Sequence, residues 1–356
     1  MVGCRLTSER ALGYTQAVLG TLAVTPDAVL LRLAEQHGTA QTWVVATCKL
    51  LLIGIFCSLQ PMSEGWRALV DGIKAGPKHV LVAALLQGLI NMGYTLAFLE
   101  TNVASALMLI SLHPMWAALM ARPILGDKLP TRTVIALMFA IAAVVVIFVP
   151  PLFIDEGGGA SASPDATNLT APEAATPRST LHGNLIALGV GVSVAATIVV
   201  NRHAGMHCPK AGMELAAGVG SLFCGLVSLP IACAVSPDGA CSDFGDIQPI
   251  FWLFISLDAL CIATCTILTT VWAPRHLLSA ECALILLGEQ ILSPVWTYLG
   301  VGEAPTNWTL AGGALLICTL AVHEGASLVE ERREARRDPD VPSKPQGEKE
   351  TSVAIA

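Results

Sequence analysis

Lys49 stands in the middle of the apolar run TWVVATCKLLLIGIFCSL, and Glu289 in the middle of LILLGEQILSPVW. A charge at that depth in an apolar helix costs about 2.5 to 3.5 kcal/mol on insertion scales, so each needs a partner or a task. Lys49 is suited to holding an anionic group of a solute or to pairing with a carboxylate such as Glu289. The plainer alternative is a structural ion pair, or a stem that carries its ammonium toward water. Glu289 can contact a solute or take up and release a proton, and Glu281, about two turns earlier, can do the same nearer one end of the run. A helix-packing ion pair is the competing role for both. His113 precedes Pro114, whose missing N–H frees a carbonyl and permits a kink. Its imidazole can bind a solute, relay protons, or serve as a buried hydrogen-bonded residue.

Gln87, Asn91 and Tyr94 lie at spacings of four and three in HVLVAALLQGLINMGYTLAF, which places them on one helical stripe. Lipid offers such a stripe no partners, so it should face a bundle interior, lining a cavity or bonding a neighbouring helix. Asp258 and Asn201 are weaker examples of the same kind. Asp27 and Arg32, five residues apart near the end of the first apolar run, suit anchoring or gating. His203 and His207 have metal-ligand spacing with Cys208 beside them, but they fall in a loop region and are not read as a metal site. His323-Glu324 is not HExxH, because Ser327 occupies the second histidine's place. Neither a phosphate-binding glycine loop nor a paired Ser-His or His-Asp constellation occurs, so the chain is not read as an enzyme and no cofactor is expected.

These residues need apolar helices to hold them, and the composition supplies little else. Of 356 residues, 54% are hydrophobic and 13% charged, against about 25% charged in ordinary soluble domains. The class is an all-α polytopic membrane protein. A crossing needs roughly 20 residues, and breaks at charge, Pro and Gly give about ten spans: 12–33, 40–59, 79–98, 102–121, 131–150, 182–201, 212–235, 249–272, 278–298 and 308–328. Residues 1–150 form the first half and 181–328 the second. The Ala/Pro/Ser/Thr-rich stretch 151–180 reads as a disordered linker, and 329–356 as a charged tail. Cys233 and Cys241 flank one loop and offer a weak disulfide pair; the other cysteines read as small buried apolar residues.

Shifting the chain by 176 residues lays Ala104 on Ala280, His113 on Glu289, Gly126 on Gly302, Asp127 on Glu303 and Thr133 on Thr309. That is one half used twice. With five spans per half, the second enters the membrane inverted, the usual framework for alternating access. Lys and Arg agree: with both termini cytoplasmic, residues such as Arg67, Lys74, Lys78, Arg122, Lys128 and Arg275 collect on one side, while the opposite loops hold only Arg178.

Several phrases together resemble the EamA-type members of the drug/metabolite transporter superfamily. They are Thr25-Pro26-Asp27-Ala28-Val29-Leu30-Leu31-Arg32, Lys49, and Ala104 to Pro114 ending in Gly126-Asp127-Lys128. In the second half they are Leu287-Gly288-Glu289, Pro294-Val295-Trp296, Gly302-Glu303-Ala304-Pro305 and Gly312-Gly313. The likeness covers roughly residues 10–328; the family often has Glu at the place of Asp127 and Arg at that of Lys49. The resemblance implies ten transmembrane helices as two inverted five-helix repeats, and a secondary transporter of a small polar metabolite. An organellar antiporter of nucleotide sugars or sugar phosphates is the alternative, and a receptor or intramembrane enzyme ranks lower. The expected partners are a small-molecule solute and the lipid bilayer, with a homodimer left open and no nucleic acid. Plasma membrane is the default location, and an organelle membrane remains open. Asn168 in Asn168-Leu169-Thr170 is a glycosylation sequon on the expected non-cytoplasmic side.

Overall fold

A computed structural model of the chain describes residues 2–37, 41–63, 66–125, 135–136, 138–143, 145–146, 181–208, 211–235, 247–266, 268–269 and 279–337. The linker 151–180 with Asn168, the Gly126-Asp127 step and the tail beyond 337 lie outside the described residues. All regular structure among the described residues is helical. The helices are α1 (Val2–Val24), α2 (Asp27–His37), α3 (Thr42–Ser63), α4 (Trp66–Ala75), α5 (Pro77–Glu100), α6 (Val103–Ile110) and α7 (His113–Leu125). They continue with α8 (Leu181–His207), α9 (Ala216–Val235), α10 (Pro249–Cys265), α11 (Ser279–Val301) and α12 (Asn307–Arg337).

Among the described residues, five stretches are long and apolar enough to cross a bilayer by length and composition: Ala11–His37, Thr42–Leu59, Pro77–Glu100, Leu181–Asn201 and Ala216–Ala234. Their outer faces carry exposed Leu81, Leu85 and Leu89 on α5 and Phe223, Leu226 and Val227 on α9. Such continuous apolar surface suits lipid rather than water.

Two expected spans are each broken in two. The stretch 12–33 contains the α1–α2 break, because Pro26 has no N–H to give to the preceding turn. The stretch 102–121 divides between α6 and α7 around Ser111 and Leu112, with Pro114 in the first turn of α7, where its fixed φ is tolerated. Beyond Cys265, Thr266, Leu268 and Thr269 widen into a π-type turn.

The core lies where α2, α3, α5, α6, α8 and α10 meet, around Leu31, Val45, Phe98, Leu107, Ile110, Val190, Phe251 and Ile255. Helix α9 packs on α3 and α5, α8 on α5, α6 and α7, α10 on α1, α2 and α3, and α11 on α1, α2 and α12. The α5–α9 crossing is very close: a methyl group at Gly220 would collide with the Ala84 carbonyl oxygen, and one at Gly88 with the Gly220 carbonyl. Small residues allow backbones to approach in this way where lipid gives helices no hydrophobic drive to associate.

Candidate functional site

The α1–α2 break generates the site. At the break the Ser293 hydroxyl of α11 donates to the Thr25 carbonyl at 2.8 Å. The indole Nε1 of Trp296 donates to Thr25 Oγ1 at 3.2 Å. Interrupted backbone at membrane depth persists only where protein or a water-filled cavity satisfies it. The break also sets Asp27 in the first turn of α2, where the aligned amide dipoles favour a carboxylate.

Lys49 of α3 reaches that carboxylate. It is fully buried, and its Nζ donates to Asp27 Oδ1 at 2.5 Å. Asp258 of α10, also fully buried, brings Oδ2 to 2.9 Å from the same ammonium. That second approach is an ion contact without hydrogen-bond geometry, and both Asp258 carboxylate oxygens are without a hydrogen bond among the described residues. Three elements thus place two carboxylates on one ammonium. The partner suggested for Lys49 from sequence, Glu289, does not make the contact; Asp27 and Asp258 do. Glu289 is partly buried on α11 and lies within electrostatic range of Asp27 and Tyr94.

Further orphan polar atoms lie on the adjoining helices. Gln16 Oε1 and Thr21 Oγ1 on α1, and Gln290 Oε1 on α11, are buried without a hydrogen bond among the described residues. Helix α1 packs against both α10 and α11. An unsatisfied buried polar group costs about 1 to 3 kcal/mol.

A second charged cluster closes one end of the bundle. Arg32 Nε donates to Glu303 Oε2 at 3.0 Å, Nη1 to Glu35 Oε2 at 3.4 Å, and the guanidinium also donates to the Leu99 and Thr101 carbonyls at 3.2 and 2.9 Å. Glu303 Oε1 in turn accepts the Val103 N–H at 2.9 Å. Gly302 adopts φ +71°, the left-handed step that ends α11 and that a side chain would strain. Its N–H bonds the Tyr298 carbonyl at 3.0 Å, so the chain turns and presents Glu303. Asn102 caps α6, accepting from the Ala104 and Ser105 N–H groups at 3.1 and 3.4 Å and donating to the Ala304 carbonyl at 3.3 Å.

Of the remaining sequence candidates, Tyr94 lies within electrostatic range of Asp27. Asn91 is buried and its Nδ2 donates to Ser221 Oγ of α9 at 2.7 Å, which is the helix-bonding alternative of the two considered for it. Tyr94 packs edge-on against Phe98, with ring centroids 5.6 Å apart, and Gln87 is half-buried. His113 opens α7 with Nδ1 3.2 Å from the Ile110 carbonyl oxygen. Glu281 begins α11, and its side chain lies outside the described residues. Sequence reading undervalued Asp27, Asp258, Gln16, Thr21 and Gln290. Asp258 satisfied the criterion that singled out Lys49, a lone charge in an apolar run, and Asp27 had the signal of a carboxylate directly after a helix-breaking proline.

At the ends of α5 and α8 three histidines stack. His79 Nε2 lies 3.0 Å from His203 Nδ1, and the His203 and His207 rings stand 4.1 Å apart. Partial burial, then the neighbouring imidazoles of His207 and His79, hold His203 below the ordinary histidine range. Among the described residues no group of His, Cys, Asp or Glu is arranged to hold a metal ion. Cys233 at the end of α9 is disulfide-bonded.

No protein-family model matches the chain, and no curated protein matches it. A solved structure described as "Crystal structure of protein" is similar at 19% identity, over 92% of this chain and 99% of that one, with a TM-score of 0.48. A likeness of that size identifies no family.

Proposed function

We propose that the chain is a secondary transporter of a small polar solute, built as two inverted five-helix repeats of EamA type and working by alternating access. The observation that carries this reading is the Asp27–Lys49–Asp258 cluster beside a broken apolar helix. A rigid membrane scaffold has no use for two carboxylates on one ammonium in its core, whereas a solute or ion pathway does. Discontinuous helices meeting near charged groups are the form that solute sites take in repeat-built transporters.

The packing pattern supports the repeat. Helix α5 packs on α8 and α9; 176 residues on, α10 packs on the counterparts of those helices, α1–α2 and α3. In the same way α6 and α7 pack on α8, and their counterpart α11 packs on α1 and α2. The disulfide at Cys233 supports the orientation, because a disulfide belongs to an oxidising compartment and the loop after α9 falls on the expected non-cytoplasmic side. Arg32 and Glu303 then close the non-cytoplasmic end. Since Lys49 and Arg32 are both engaged by carboxylates, a phosphorylated cargo is the weaker choice.

The test is uptake of a pooled library of polar metabolites by proteoliposomes, with and without an imposed pH gradient. Accumulation of one or more solutes above protein-free vesicles supports transport, and equal content under every condition counts against it.

A further inference from the structure

We infer that Asp258, held beside Asp27 on the Lys49 ammonium, is a proton-accepting carboxylate. The inference rests on the transporter reading for its purpose, and on the cluster's own charge count for its chemistry. With every group ionised, two carboxylates and one ammonium leave one uncompensated negative charge. All three side chains are almost wholly shielded from water, and an uncompensated charge in such a place costs several kcal/mol even after relaxation. A proton is the smallest group that removes the excess, and it needs no rearrangement of the Lys49 contacts.

The two carboxylates are not equivalent. Asp27 has the directed hydrogen bond from Lys49 and the helix N-terminus of α2 behind it. Asp258 lies within α10 with neither oxygen hydrogen-bonded among the described residues. A proton on its Oδ1 gives the cluster one ammonium, one carboxylate and one neutral acid, and its release to water restores the ionised pair.

Other titratable groups face the cluster from each packed element. From α5 comes Tyr94, from α11 Glu289, and on α10 itself Cys261 and Cys265, all within electrostatic range of Asp27 or Asp258. On α2, Arg32 and Glu35 engage one another and Glu303, and His37 bonds the Leu33 carbonyl. On α3, Cys48 and Cys57 are buried thiols. Of the carboxylic acids among these, Glu35 and Glu303 are paired with Arg32, and Glu289 is the acid whose protonation the test must separate.

The test uses full-length protein in lipid nanodiscs and infrared difference spectra between alkaline and acid pH, in light and heavy water. Wild type should show the carbonyl stretch of a neutral carboxylic acid in an apolar setting, shifted by deuterium. Glu289→Gln should retain it, and in that background Asp258→Asn and Asp27→Asn should each abolish it, because each leaves one carboxylate for one ammonium. Either Asp variant suffices if the other does not fold. No such band in wild type, persistence in both Asp variants, or loss in Glu289→Gln overturns the inference. The readout needs no transported solute: a band without uptake sinks the transporter reading alone, and uptake without a band sinks the proton pair alone.

Discussion

Lys49 Nζ lies 2.5 Å from Asp27 Oδ1, and the two residues meet because Pro26 turns the chain just before Asp27. One helix break thus serves two ends. It starts α2 with a carboxylate, and it leaves Thr25 tied to α11, its carbonyl accepting from the Ser293 hydroxyl and its own hydroxyl from the Trp296 indole.

Removing Lys49 alone should be costly. Lys49→Met leaves Asp27 and Asp258 facing each other without a cation, a loss of about 3 to 5 kcal/mol for an uncompensated buried charge. Combined with Asp27→Asn and Asp258→Asn, the same substitution leaves no charge in the cluster and should recover most of that stability. Thermal unfolding of the purified variants in detergent checks this; a triple variant no more stable than Lys49→Met would mean that the charges are not the source of the cost.

The Arg32–Glu303 contact should act as a latch. Glu303→Gln removes one of the two carboxylates that engage Arg32 and weakens the hold on the Val103 N–H, leaving Glu35 as the remaining partner. Asn102→Cys should then react severalfold faster with a membrane-impermeant maleimide in the Glu303→Gln background than alone. Equal labelling rates would show that the pair fastens helices without controlling access.

Much of this was legible in the sequence, and the reasons differ by residue. The apolar periods and their breaks gave helices close to the expected boundaries, because Pro77 and Pro249 begin α5 and α10 and Gly302 ends α11. Lys49 stood out because a lone charge in an apolar run has few innocent explanations. Its partners did not, since pairing across 22 residues to Asp27 and across a far longer separation to Asp258 is a property of packing, and Glu289 was an equally charged choice. Asn91 looked like cavity lining or helix bonding, and only the position of Ser221 decides for the bond. The three-histidine stack was invisible because His79 lies 124 residues from His203.

That stack predicts a pH response. Because partial burial and two imidazole neighbours lower His203 in the folded state, folding disfavours its charged form. The packed α5–α8 end is therefore fully stable above the unfolded histidine value of about 6.5 and loses stability as pH falls through it. His203→Gln should flatten the fall in melting temperature between about pH 7 and 5. A wild-type melting temperature that rises on acidification over that range contradicts the sign.

The charge cluster is the centre of the account, and the most direct measurement compares pooled-solute uptake by proteoliposomes of wild type and of the folded Lys49→Met/Asp27→Asn/Asp258→Asn protein. The account predicts that wild type accumulates solute and that the neutralised protein falls to the level of protein-free vesicles. Uptake by the neutralised protein at the wild-type rate would contradict it, and would leave the Asp27–Lys49–Asp258 cluster as packing alone.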